Sequence, residues 1–138
     1  MSTLLIVGTV AFDAIETPFG KKDKIVGGAA TYIALAASQF NVDSAIVSVV
    51  GDDFPKSYLE FLETKNIDTS GIQVIPNGKT FFWSGKYYND LNSRDTLATE
   101  LNVLADFQPI VPENFLQPDF LMLGNLHPYV HVEVLSQN

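Results

Sequence analysis

The chain has 138 residues, 46% hydrophobic and 17% charged, with 16 Asp and Glu against 8 Lys and Arg and a formal net charge of −8. That length holds one domain with one core, and an acidic balance without a basic patch argues against nucleic acid or an anionic membrane surface as partner. The absence of cysteine removes disulfide frameworks and thiol chemistry.

Leu4 to Val7 is a continuous apolar run closed by Gly8, the pattern of a strand buried on both faces. It is too short for a signal or membrane segment and has no basic leader, so a cytoplasmic protein is expected. Lys21, Lys22 and Lys24 form the one basic cluster, read as a solvated turn. Gly27 and Gly28 then precede small and apolar residues as far as Phe40. A glycine pair lets backbone come close to a ligand, because no Cβ intervenes and unusual dihedrals are open. From Gly28 to Phe40 the composition predicts a helix buried around most of its circumference.

Ala45 to Val50 reads as a second buried strand, ending in Gly51. Asp52 or Asp53 can cap a following helix with Pro55 in its first turn and Tyr58, Leu59, Phe61 and Leu62 on its inner side. Strand, helix, strand, helix with short connections predicts a parallel α/β sheet. Its ligand crevice belongs beyond the carboxyl ends of the strands, where Gly8, Gly51 and Gly124 stand.

The middle of the chain changes character. Ile72 to Pro76, Asn77-Gly78 and Thr80 to Tyr88 predict a β-hairpin with a type I′ turn, with aromatic rings on both faces of its second strand. Asp90 to Asp95 is a polar turn, and Thr96 to Leu101 can return as a third strand. So small a sheet cannot make its own core and must cover or pair with something. Ala105 to Gln117, with Pro109 and Pro112, predicts a loop, followed by a third buried strand at Phe120 to Leu123 and a short helix from about Tyr129 to Leu135. No internal repeat is present.

Gly27, Gly28, Ala34 and Gly51 fall in register with the first signature of the ribokinase-like (PfkB) carbohydrate kinase family, which the chain resembles. Tyr32 stands where that signature has Asn, and Asn41 where it has Gly or Ser. Lys79 to Tyr87, Leu101 to Phe107 and Leu123 to Pro128 also resemble one branch of the family. The resemblance implies a ribokinase-like three-layer α/β fold with a mostly parallel sheet and a small β-sheet lid. Residues 1–138 would be the amino-terminal part of one such domain, with lid segments around 14–26 and 72–101. The family's Gly-Ala-Gly-Asp type motif, which carries the catalytic base and anion hole, does not occur in the sequence. The expectation is therefore a chain lacking the carboxyl-terminal half, with no catalytic residue of its own and inactive alone.

The implied activity is transfer of the ATP γ-phosphate to a hydroxyl of a sugar or sugar-like alcohol, with Mg²⁺. ATP and Mg²⁺ would be bound mostly by groups outside this chain. By the resemblance Asp13 binds substrate hydroxyls, for which a carboxylate is suited because it accepts two charge-assisted hydrogen bonds; by itself it also reads as a turn-capping acid. Gly27 and Gly28 would form the hinge and the close approach to substrate. Tyr32 could stack on a sugar face or be a core aromatic. Phe82 and Trp83 would be the lid rings that face the substrate or a second lid, and a homodimer through the lid sheet is implied. Arg94 could meet an anionic group or be a solvated loop charge. Asn125 could bind a hydroxyl or shape its loop. His127 and His131 are four apart, but Pro128 lies between them and no third ligand is evident, so no metal site is expected. Two other classes remain open: a non-enzymatic module that binds a polyol or dimerises, and a dinucleotide-binding domain. The latter lacks the Gly-x-Gly-x-x-Gly turn that a pyrophosphate requires.

Overall fold

The computed structural model describes residues 2–138. Leu5, Ile6 and Val7 lose all their exposed surface in β1 (Ser2–Val7). Such a strand survives only with neighbours on both edges and cover on both faces. β1 pairs in parallel with β4 (Val42–Gly51) on one side and with β9 (Phe120–Leu123) on the other. β5 (Ile67–Asp68) and β6 (Ile72–Ile75) both extend the sheet beyond β4, again in parallel.

Alternate residues of β1 and β4 feed two cores. Ile6, Ile46 and Val50 meet Ala30 and Ala34 of α1 (Ala29–Ala37) and Leu62 of α2 (Lys56–Thr64). On the other face Leu5, Val7, Ala45, Val47 and Val49 meet Phe107, Val111 and Phe115, joined by Val130 and Val134 of α3 (Pro128–Gln137). The segment expected as loop is thus a structural layer. It runs from the end of one short 3-10 turn, Asn102–Asp106, through a second, Glu113–Phe115, and sends Phe107, Val111 and Phe115 inward. Among the described residues no helix is long and apolar enough to cross a membrane.

A second sheet has the order β3-β2-β7-β8, from β2 (Ala11–Thr17), β3 (Gly20–Gly27), β7 (Phe82–Tyr87) and β8 (Arg94–Glu100). β2 and β7 run parallel, and the two outer pairs are antiparallel.

Several expectations change. The 72–88 hairpin does not form: β6 joins the main sheet and β7 the second one, so 72–75 lies outside the second sheet. Pro76 is the reason. The Gly78 amide donates to the Ile75 carbonyl at 3.1 Å, which makes Pro76 and Asn77 the central pair, with Asn77 at φ 58. Pro followed by a left-handed Asn suits a type II turn, not the I′ turn that closes a two-residue hairpin. The basic cluster lies in β3, an edge strand, instead of a turn; edge lysines discourage pairing with other chains. α1 is buried on one side only, through Ala30, Thr31 and Ala34, while Tyr32 is exposed. β9 is half-open, with Phe120 and Met122 exposed.

Asp52 and Asp53 do not cap α2, whose N-cap is Pro55 without a side-chain bond. They bond instead to the connection between β6 and β7. Asp52 Oδ2 accepts the Asn77 amide at 2.8 Å, and Asp53 Oδ1 accepts the Thr80 amide at 2.9 Å and its hydroxyl at 2.7 Å. Thr80 Oγ1 in turn accepts the Gly51 amide at 3.0 Å.

Candidate functional site

The carboxyl end of β1 turns at Gly8 and returns through β2 and β3 to Gly27-Gly28, where α1 begins. Gly28 has φ 97, and a Cβ on it would overlap the Thr9 carbonyl. Both conditions exclude other residues. Thr9 closes the turn: its carbonyl accepts the Ala30 amide at 2.9 Å and its hydroxyl the Ala29 amide at 3.0 Å. Thr31 Oγ1 donates to the Gly27 carbonyl at 2.9 Å. Thr9 thus accepts from the first two amides of the helix that glycine leaves without a side-chain cap, and Thr31 ties the helix back to Gly27.

Asp13 lies in β2, in register with Ile25 of β3 and Trp83 of β7. It caps no turn. Its carboxylate lies over Gly27, where a Cβ would overlap Oδ2. The group is half-buried, and burial alone raises its pKa. No hydrogen bond stabilises the carboxylate within the described residues, so it stands ready for hydroxyl donors.

Beyond the strand ends lies a cleft of about 740 Å³. Thr9 and Ala29 line it from the glycine turn, Asn125, His127 and Tyr129 from the turn after β9, and Phe81, Leu101 and Leu104 from the connections of the second sheet. Asn125 therefore does reach the crevice. Gly124, before it, is held by a 2.6 Å bond from its amide to the Val7 carbonyl. Tyr32 is not a core residue, being 57% exposed, and it does not line the cleft.

The aromatic residues of β7 divide by face. Phe82 packs with Phe12 and Val26 against the first core. Trp83 shares the opposite face with Asp13, covers Gly85, and lies edge-on to Tyr87 at 6.4 Å. Its Nε1 donates to Thr96 Oγ1 at 3.3 Å, and the Arg94 guanidinium lies 5.7 Å from the ring centroid. Arg94 is thus placed on Trp83 at the start of β8, away from the cleft. Residues 2–136 match the pfkB family of carbohydrate kinases. The chain belongs to that family.

Among relatives, a cytidine kinase of Thermococcus kodakarensis is 30% identical over 138 residues, covering 99% of this chain and 48% of that protein. The crystal structure of a Methanocaldococcus jannaschii nucleoside kinase, an archaeal ribokinase-family member, superposes with a TM-score of 0.79 at 21% identity, covering 99% of this chain and 49% of that one. The nucleoside kinase of Burkholderia thailandensis in complex with inosine gives a TM-score of 0.65 at 20% identity, over 75% of this chain and 38% of that one. At such identities the structures establish a ribokinase-like fold. The chain spans about half the length of the relatives it matches.

His127, which its spacing to His131 presents only as half of a pair without a metal role, lines the cleft. Thr9 carried no signal beyond its place one residue after the strand-ending glycine. Among the described residues no group of three or more His, Cys, Asp or Glu side chains is arranged to hold a metal ion. These residues offer no set that fits Mg²⁺.

Proposed function

We propose that the complete protein is an ATP-dependent kinase that phosphorylates a hydroxyl of a nucleoside, and that this chain supplies its acceptor-binding side. The observation that carries the reading is Asp13, a half-buried carboxylate with no hydrogen-bond partner among the described residues, lying over Gly27 in the glycine turn whose Thr9 and Ala29 line the cleft. A pair of neighbouring hydroxyls satisfies such a carboxylate with two charge-assisted bonds. The sugar or polyol expected from sequence has such a pair, and so does the ribose of a nucleoside. The cytidine and nucleoside kinases among the relatives favour the latter.

In this reading Gly27 and Gly28 bring backbone against the ribose, Asn125 offers an amide from the far side, and the second sheet acts as a lid. Trp83, on the Asp13 face, is the ring that a closed lid would turn toward substrate, excluding water that competes as acceptor. The base that deprotonates the attacking hydroxyl, and the groups that hold ATP and Mg²⁺, belong to residues outside 2–138. A homodimer through this sheet is part of the proposal, favoured by the open edge of β8 and by Leu97, 59% exposed.

The test is ATP-dependent phosphorylation of a panel of ribonucleosides and free sugars by the complete polypeptide and by residues 1–138 alone. Turnover of a nucleoside by the complete protein, a fall of about 100-fold in kcat/KM in Asp13→Ala, and no turnover by residues 1–138 are expected. Turnover by residues 1–138, or an Asp13→Ala enzyme as active as wild type, would overturn the assignment.

A further inference from the structure

His127 is exposed, lines the cleft beside Asn125 and Tyr129, and has a fixed ring orientation. Its Nδ1 accepts the Tyr129 amide at 3.1 Å and so caps α3. A nitrogen that accepts a hydrogen bond does not carry the proton, so the neutral ring holds its proton on Nε2. That Nε2–H has no protein partner among the described residues. The turn itself is pinned at its other end. His131 Nε2 lies 2.7 Å from the Gly124 carbonyl, and the Gly124 amide is bonded to Val7. The donor is therefore positioned before a ligand arrives, which reduces the ordering cost of binding.

The cleft around this donor is apolar where Phe81, Leu101 and Leu104 line it. A free sugar, with hydroxyls on every side, would leave those walls unmatched. A heterocyclic base has apolar faces and a polar edge, which is the combination the cleft offers. Spacing agrees. Asp13 lies over Gly27, and Ala29, two residues further, lines the cleft. Two residues span at most about 7 Å, so the backbone under Asp13 and the cleft wall are neighbours, as one ligand that reaches both requires.

We propose that this cleft takes the base of the acceptor nucleoside and that His127 is a specificity residue, donating Nε2–H to an acceptor atom on the base edge. The inference rests on the nucleoside-kinase reading and goes further by naming the group that distinguishes a nucleoside from a bare sugar.

The experiment is steady-state phosphorylation of cytidine, uridine, adenosine and guanosine by the complete polypeptide, its His127→Asn variant and its His127→Ala variant, with melting temperatures for each. Asn keeps a cap acceptor for the Tyr129 amide but cannot place a donor where Nε2 was. His127→Asn is expected to raise KM for the preferred nucleoside about tenfold, with kcat changed by less than about twofold and the melting temperature of wild type. His127→Ala should show the same rise in KM together with a lower melting temperature. An unchanged KM in His127→Asn overturns the role of His127 while leaving the nucleoside reading in place. A wild-type protein that phosphorylates free sugars and none of the four ribonucleosides overturns both.

Discussion

β1 hides Leu5, Ile6 and Val7 completely, whereas β8, in the other sheet of the same chain, leaves every residue but Ala98 exposed. The main sheet is held by burial: two apolar layers close on it, and its strands read as continuous hydrophobic runs. Away from its base, the second sheet is held by cross-strand pairs, such as Trp83 with Thr96 and Tyr88 with Asp95. Each such pair contributes only about 0.2–1 kcal/mol. A sheet assembled from weak pairs can move relative to a packed one, which is what a lid requires. The residues proposed to bind the acceptor sit at the seam, where Asp13 leaves the packed region and Gly27-Gly28 re-enters it.

The largest expected effect is at that seam. Gly28→Ala must hold a side chain at φ 97 against the Thr9 carbonyl. Denaturant unfolding should show a loss of about 3 kcal/mol or more. A wild-type midpoint would mean that the turn relaxes freely and that the seam is not rigid. Asp53→Ala tests the link between the two sheets. It removes two bonds to Thr80, which is buried, and leaves that amide unsatisfied. A loss of about 1–2 kcal/mol is expected, with faster hydrogen exchange at residues 77–82 ahead of the main sheet. Uniform exchange across both sheets would argue against separate mobility.

Asp13→Asn sharpens the comparison through pH. Burial raises the carboxyl pKa in the folded chain, so stability falls as pH rises from the ordinary carboxylate value through the folded one, and the full cost of ionisation is present above it. Below the ordinary carboxylate range the acid is neutral in both states and the cost vanishes. Thermal melts should therefore show Asp13→Asn more stable than wild type at neutral pH, with the gain shrinking as pH falls through the raised pKa. A gain independent of pH would point to packing instead of charge. The smallest effect belongs to the main sheet. Ser48 Oγ is buried without a partner, so Ser48→Ala should be neutral or stabilising by up to about 1 kcal/mol. A clear destabilisation would show that the hydroxyl has a partner.

The sequence was most legible where burial is complete. Leu4 to Val7, Ala45 to Val50, the two following helices and the strand-ending glycines appear close to where their patterns put them, because a strand covered on both faces tolerates little else. It was least legible in the second sheet. Asn77-Gly78 looks like a hairpin turn by itself, but Pro76 moves the turn back by one residue and sends the two flanking strands to different sheets. Asp52 and Asp53 have the spacing of helix caps, yet the amides of Asn77 and Thr80 took their oxygens.

Sequence alone determined the family and the glycine turn, since each depends on residue type at a fixed spacing. Tertiary structure decided the rest. It packed Phe82 against the core and put Trp83 on the face of Asp13, exposed Tyr32, and set the imidazole of His127 beside Asn125 in the cleft. Those outcomes depend on strand register and on which distant segment reaches a polar group first, and pairing between remote parts of a chain leaves no local pattern in the sequence.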